Sequence, residues 1–142
     1  MIYFFDHLSF FLACMFFSDC FYISFVEHPA RMECPLNVSL KQWRQSYPKA
    51  LRLQILVLLF GTLFSILTYM SNGNLMWLLA GTLLFLSFPY TIICLLPTNN
   101  LLYKTEDEKT VKMLLEKWGK GHFLRTVLSF ISTMVMMFLL CK

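Results

Sequence analysis

Residues 53–103 read LQILVLLFGTLFSILTYMSNGNLMWLLAGTLLFLSFPYTIICLLPTNNLLY, without a single Asp, Glu, Lys or Arg. A bilayer core is crossed by about 20 helical residues, so the run is too long for one crossing and suits two. Ser71-Asn72-Gly73-Asn74 divides it with turn chemistry. The stretch therefore reads as a helical hairpin with spans near 50–70 and 75–96. Pro89 falls inside the second span, where a bend is expected. A membrane helix tolerates such a proline because neighbouring groups satisfy the freed carbonyl.

Two more spans flank the hairpin. One lies near 8–26, rich in Phe and interrupted only by Asp19. Asp6 and His7 precede it where a signal peptide carries basic residues, and no small-residue cleavage site follows. The other lies near 122–141. Its uncharged part begins at Thr126, and Arg125 at its edge can snorkel. The fold class expected is all-α, an integral membrane four-helix bundle forming one domain over 1–142.

Composition agrees. Of 142 residues, 58% are hydrophobic and 14% charged, against roughly 45–50% and about 25% in soluble domains. Disordered chains are poor in aromatics, whereas 17% of this one is Phe, Trp or Tyr. Cys14, Cys20, Cys34, Cys94 and Cys141 are odd in number and form no C-x-x-C. That argues against a disulfide framework, a thiol oxidoreductase and a zinc ribbon. His7, His28 and His122 form no H-x-x-x-H or E-x-x-H pair, so no metal site is expected. No nucleic-acid partner is expected either; the bilayer is the first partner.

Every basic residue except Lys142 falls in or beside the segments after spans one and three. The positive-inside rule then places loops 27–49 and 97–121 in the cytoplasm and both termini outside. Asn37-Val38-Ser39 matches a glycosylation acceptor, but on the cytoplasmic side no glycan is expected. Ser39-x-x-Gln42 and Thr105-x-x-Glu108 have the form of capping boxes. The first introduces Trp43 and Tyr47 at i and i+4. The second opens an amphipathic helix near 105–118, with Val111, Leu114, Leu115 and Trp118 at helical spacing. Gly119 and Gly121 are expected to hinge it to span four.

The unusual polar residues cluster at one membrane level. Glu27, His28 and Arg31 follow span one, Gln54 opens span two, Asn99 follows span three, and His122 and Arg125 open span four. In an antiparallel bundle these helix ends share a depth, so they can converge around a pocket mouth. Each has a plainer reading. Glu27, Arg31 and Arg125 serve as interfacial charges pairing with each other or with lipid headgroups, Trp43 and Trp118 as belt aromatics, and Asn99 ends a helix or closes a turn after Pro97. Trp118, His122 and Arg125 share a helix face, and a histidine there is either a general base or a hydrogen-bonded structural residue. Asp19, in mid-span, costs at least ~2.5–3.5 kcal/mol if ionised. It suits either a proton path or a hydrogen-bonded interior position.

Phe25-Val26-Glu27-His28-Pro29-Ala30-Arg31, then Trp43-x-x-Ser46-Tyr47-x-x-Ala50-x-x-x-Gln54, resemble the signature of the four-span membrane family called domain of unknown function 1772. That family includes the fungal anthrone oxygenases. Pro97-x-Asn99-x-x-Leu102 and Trp118-x-x-x-His122-x-x-Arg125-Thr126 resemble its second half. The resemblance implies oxidation of a polycyclic anthrone to an anthraquinone by O₂, with no cofactor, neither metal nor flavin. Such a site needs a base, donors for a developing oxyanion and an aromatic slot. His122 or His28 is the candidate base. Arg125, Asn99 and Gln54 are candidates to hold the oxygen. Trp43, Tyr47 and Trp118 are candidates to line the slot, with Glu27 and Arg31 beside it. The ligand implied is a lipophilic aromatic or quinone-like molecule. Two other classes stand beside this one. The first is a non-enzymatic module binding lipid, quinone or a partner, whose polar end should tolerate single conservative changes. The second is a proton-coupled transporter using Asp19.

Overall fold

Four long helices carry the computed structural model, which describes residues 2–142. They are α1 (Phe4–Met32), α2 (Leu36–Asn72), α3 (Leu75–Lys104) and α4 (Glu108–Leu140), each long and apolar enough to cross a bilayer. No strand occurs among the described residues. Helix α1 packs on α2 and α4, and α3 packs on α2 and α4, so the four form an antiparallel ring in chain order. The expected membrane four-helix bundle is the observed one.

The helices run further than the uncharged stretches. At 1.5 Å per residue the 37 residues of α2 span about 55 Å, well beyond a hydrocarbon core of about 30 Å. The excess lies at the end where α2 and α4 begin, which carries the basic residues. Segments 27–49 and 97–121 are therefore mostly helix and not loops. The connections at this end are only residues 33–35 and 105–107. The amphipathic segment near 105–118 and the span near 122–141 are likewise one continuous helix. Neither expected capping box forms. Helix α2 starts earlier, after Pro35, and Ser39 lies buried within it, its Oγ 2.7 Å from the Arg31 carbonyl. At α4 the cap is Asp107, whose carboxylate accepts from the Thr110 backbone N–H at 2.9 Å. Hydrogen bonds from Thr110 hold the Asp107 carboxyl below its usual pKa.

Prolines shape the other two helices. Helix α1 passes through a π-helical turn at Ile23–Glu27 and α3 through another at Thr91–Leu95. Each turn ends two residues before a proline, Pro29 and Pro97. A proline ring has no N–H and collides with the carbonyl four residues back, and widening the turn relieves that collision. Pro89 adds the expected irregularity, a break in α-helical bonding at Leu86.

Two apolar clusters fill the ring. Ala13, Phe16, Leu58, Trp77, Ala80, Leu84 and Met136 pack in the uncharged half. Ile23, Trp43, Leu95, Leu102, Leu115 and Trp118 pack in the basic half. Hydroxyls tie the helices where water is absent: Ser9 Oγ donates to the Gly61 carbonyl at 3.0 Å and Ser132 Oγ to the Ala80 carbonyl at 2.7 Å. Outside, Phe4, Met70, Ile93 and Phe138 are exposed, an arrangement suited to lipid.

Candidate functional site

The buried stripe of α4 runs Val111, Leu114, Leu115, Trp118, His122, Arg125, Thr126 and Ser129 without a change of face. The glycines do not hinge it. They admit neighbours: a Cβ on Gly119 would strike the His28 imidazole, and one on Gly121 would lie 2.6 Å from Leu95 Cδ2. Close approach of α1 and α3 to α4 thus brings the polar residues inward.

Near the mid-length of the bundle three helices are joined by one polar line. Arg125, 3% exposed, donates from Nη2 to Gln54 Oε1 at 2.8 Å. Gln54 Nε2 donates to Asp19 Oδ2. Gln54 therefore links a guanidinium to a carboxylate, and Asp19 takes the hydrogen-bonded interior position that is one of its two readings. Gln54 is not one turn into its helix, as the span limits implied, because α2 begins well before residue 50.

Above this line lies a second network. Arg31 donates from Nη2 to Glu27 Oε1 at 2.5 Å and from Nε to Gln42 Oε1. Gln42 Nε2 donates to the same Glu27 oxygen at 2.8 Å. Arg31 Nη1 donates to His28 Nδ1 at 3.2 Å, and the His28 ring also bonds the Leu115 backbone. Glu27 and Arg31 thus pair with each other, as the plainer reading allows, but Arg31 is buried and its guanidinium carbon lies 5.6 Å from the Trp118 ring centroid.

Between the two networks the aromatics form a slot. Trp43 and Tyr47 stack at 4.9 Å with an interplanar angle of 8°. Trp118 stands edge-on to both, at 6.0 and 6.4 Å, and His122 stacks on Trp118 at 5.0 Å. Asn99 Nδ2 donates to Tyr47 Oη at 2.6 Å, which leaves the phenol proton available. Trp43 is fully buried, so it is no belt aromatic. A small cavity of about 20 Å³ lies between these groups, lined by Ile23, Ser46, Tyr47, Trp118, His122 and Arg125, among others.

The protonation pattern of His122 follows from its partners. Thr126 Oγ1 donates to the Cys20 carbonyl at 3.1 Å, and a carbonyl only accepts. Thr126 then accepts from Ser24 Oγ at 2.8 Å, so Ser24 accepts in turn from His122 Nδ1 at 3.1 Å. The proton of neutral His122 is on Nδ1. Nε2 carries a lone pair, is fully buried and has no partner. Trp43 Nε1, Trp118 Nε1 and Arg125 Nε, all on chamber-lining side chains, are also buried without partners. Each such group costs ~1–3 kcal/mol if left unpaired, and four around one space set it apart as polar and hydrogen-bonding.

The structure thus gathers Glu27, Arg31, Trp43, Tyr47, Gln54, Trp118, His122 and Arg125 around one space. Asn99 stands behind Tyr47, and His28 stands behind Trp118. Sequence reasoning missed Ser24 and Thr126, whose hydroxyls show no role until α1 and α4 are seen side by side. It also set Asp19 apart from the group it joins. No cluster of three or more metal-ligating side chains occurs among the described residues.

A family model described as anthrone oxygenase matches residues 43–135. The match begins at Trp43, so it covers most of α2, all of α3 and most of α4 and leaves out α1 with Asp19, Ser24, Glu27, His28 and Arg31. No curated protein and no solved structure matches the chain.

Proposed function

Since the chain belongs to the anthrone oxygenase family, we propose that its chamber oxidises a flat, lipophilic anthrone-type ring with O₂, with His122 as the base. The observation that carries this reading is the unpartnered Nε2 lone pair of a buried histidine, facing a chamber whose other unpartnered groups are N–H donors.

The chemistry uses those groups in order. His122 Nε2 takes the doubly benzylic C–H proton. The electron pair spreads onto the ring carbonyl oxygen, and Arg125 Nε–H with the indole N–H groups of Trp43 and Trp118 stabilises that oxyanion. The carbanion passes one electron to O₂, and the radical pair combines to form a carbon–oxygen bond. The protonated His122 returns its proton to the distal peroxide oxygen. Removal of the second C–H proton, with cleavage of the O–O bond, leaves a carbonyl and releases water. One anthrone and one O₂ give one anthraquinone and one H₂O.

His28 is given no proton-transfer role here, because both of its ring nitrogens are engaged; it wedges Trp118 in place. Glu27 and Arg31 close the chamber at the basic end, and Tyr47 and Gln54 line it. The excess of basic residues at that end supports a cytoplasmic placement, with both termini on the far side.

The test is O₂ uptake by the purified protein in lipid nanodiscs supplied with an anthrone. We expect uptake with anthraquinone formation, lost in His122→Ala while the unfolding temperature holds. No uptake with any anthrone or hydroquinone would remove the enzyme reading.

A further inference from the structure

Beside the chamber lies a second cavity, of about 90 Å³, between α2 and α3. Its walls are apolar: Phe16, Leu51, Ile55, Leu58, Phe88 and Ile92. Tyr47, Gln54 and Arg125 line both this cavity and the chamber. The cavity exists because α2 and α3 pack closely along 75–85 and only thinly beyond. The break at Leu86 and the π turn at Thr91–Leu95 carry α3 away from its neighbour there. Ile92 and Leu96 at the rim are exposed on the surface that faces lipid. Ser87 lines the cavity, is fully buried, and its Oγ has no partner.

We infer that this cleft is a vestibule through which a flat hydroxylated aromatic ring enters the chamber sideways from the bilayer. The inference rests on the functional reading above for the identity of the ligand. Three observations point the same way. The walls are as apolar as the lipid beside them, so a ring partitioned in the membrane crosses no water to reach them. The orphaned Ser87 hydroxyl gives one ring oxygen a partner on the way. Arg125 belongs to both spaces and offers an unpartnered buried N–H at their junction. At the basic end, by contrast, the Glu27–Arg31–Gln42 network lies across the direct route from water. Entry by that route breaks charge-assisted hydrogen bonds; entry through the cleft requires side-chain motion of Tyr47, which is held by a neutral hydrogen bond from Asn99.

Two measurements test it. Ile55→Cys and, as a second variant, Leu51→Cys are made in a chain whose Cys14, Cys34, Cys94 and Cys141 are replaced by Ser. Each is labelled in nanodiscs with a pyrene maleimide that partitions into lipid or with a sulfonated maleimide that does not. We expect the lipophilic reagent to react at least about tenfold faster and 1,8-dihydroxyanthraquinone to slow it. Equal labelling by the sulfonated reagent, or no protection by the anthraquinone, overturns the vestibule. Separately, Ile55→Trp fills the cleft and should lower kcat/KM for an anthrone about tenfold while leaving kcat unchanged. Unaltered kcat/KM with normal turnover sinks the vestibule and spares the enzyme. Protection without any O₂ uptake in wild type does the reverse.

Discussion

Thr126→Val tests the assignment of the His122 proton. Valine keeps the shape of threonine and removes the hydroxyl that donates to the Cys20 carbonyl and accepts from Ser24. With Thr126 gone as acceptor, Ser24 becomes free to donate its own proton to His122 Nδ1. The tautomer holding its proton on Nε2 then gains what the original lost, one buried hydrogen bond of ~1 kcal/mol. That shifts the tautomer balance about fivefold toward the form with no lone pair in the chamber. Two side-chain hydrogen bonds are lost, so the protein should be less stable by ~1–3 kcal/mol. Nitrogen NMR of histidine-labelled protein in nanodiscs reads the tautomer directly, since a protonated and a bare ring nitrogen resonate far apart. Wild type should show a bare Nε2 at His122. Thr126→Val should show a mixture with correspondingly slower turnover, and Thr126→Ser should restore the wild-type spectrum. A His122 protonated on Nε2 in the wild-type protein refutes the directional argument and removes the base from the mechanism.

Other outcomes follow from the same contacts. Gly119→Ala drives a methyl into the His28 ring and should destabilise the protein by ~1–3 kcal/mol, seen as a lower unfolding temperature. Gln54→Leu separates Asp19 from Arg125 and leaves both short of a partner, a loss of ~1–3 kcal/mol or more. Asp19→Asn in proteoliposomes should leave proton flux at its wild-type level, since Asp19 is the counter-charge of Arg125; abolition of a substrate-driven flux would support the transporter reading. The exposed Asp107 cap, whose folded carboxyl titrates below 3.8, should persist as pH falls past that value and fail through the lower folded one. Amide exchange at residues 108–111 follows this, and Asp107→Asn should remove the pH dependence. An impermeant maleimide applied to oriented vesicles should reach Cys34 from the cytoplasmic side and Cys141 from the other, each identified by its Ser variant; labelling of both from one side would undo the topology.

Much of the fold was legible because its causes are local. An uncharged run of known length, one Asn-Gly turn and the distribution of Lys and Arg determine four antiparallel helices. Antiparallel packing then brings residues 27–31, 54 and 118–125 to neighbouring depths. The helix limits were less legible, since charge marks where a helix leaves lipid and not where it stops. Lys41, Arg44 and Lys109 sit within helices that run on through the charged stretches. The π turns were invisible to a 3.6-residue wheel. One added residue turns everything beyond it by about 100°, so Asp19 and Cys20 before the turn cannot be placed on one face with His28 and Arg31 after it. Asp19 reads as either a proton-path group or a hydrogen-bonded interior residue, and the bond from Gln54 fits the second reading.

The unpartnered groups also constrain which ligand fits. Around the chamber, Trp43 Nε1, Trp118 Nε1 and Arg125 Nε can only donate, while neutral His122 Nε2 can only accept. A hydrocarbon or lipid tail satisfies none of the four. A quinone supplies acceptors for the donors but no proton for His122. A molecule that satisfies both kinds must carry oxygen acceptors and an acidic hydrogen together, as a hydroxyanthrone or a hydroquinone does. Binding should therefore rank anthrones and hydroquinones above the matching quinones, and the preference should vanish in His122→Phe, which keeps a stacking ring against Trp118 and has no acceptor. Quenching of indole fluorescence measures both. If the quinone binds wild type as tightly as its reduced partner, the lone pair is not part of recognition, and the case for His122 as a base falls with it.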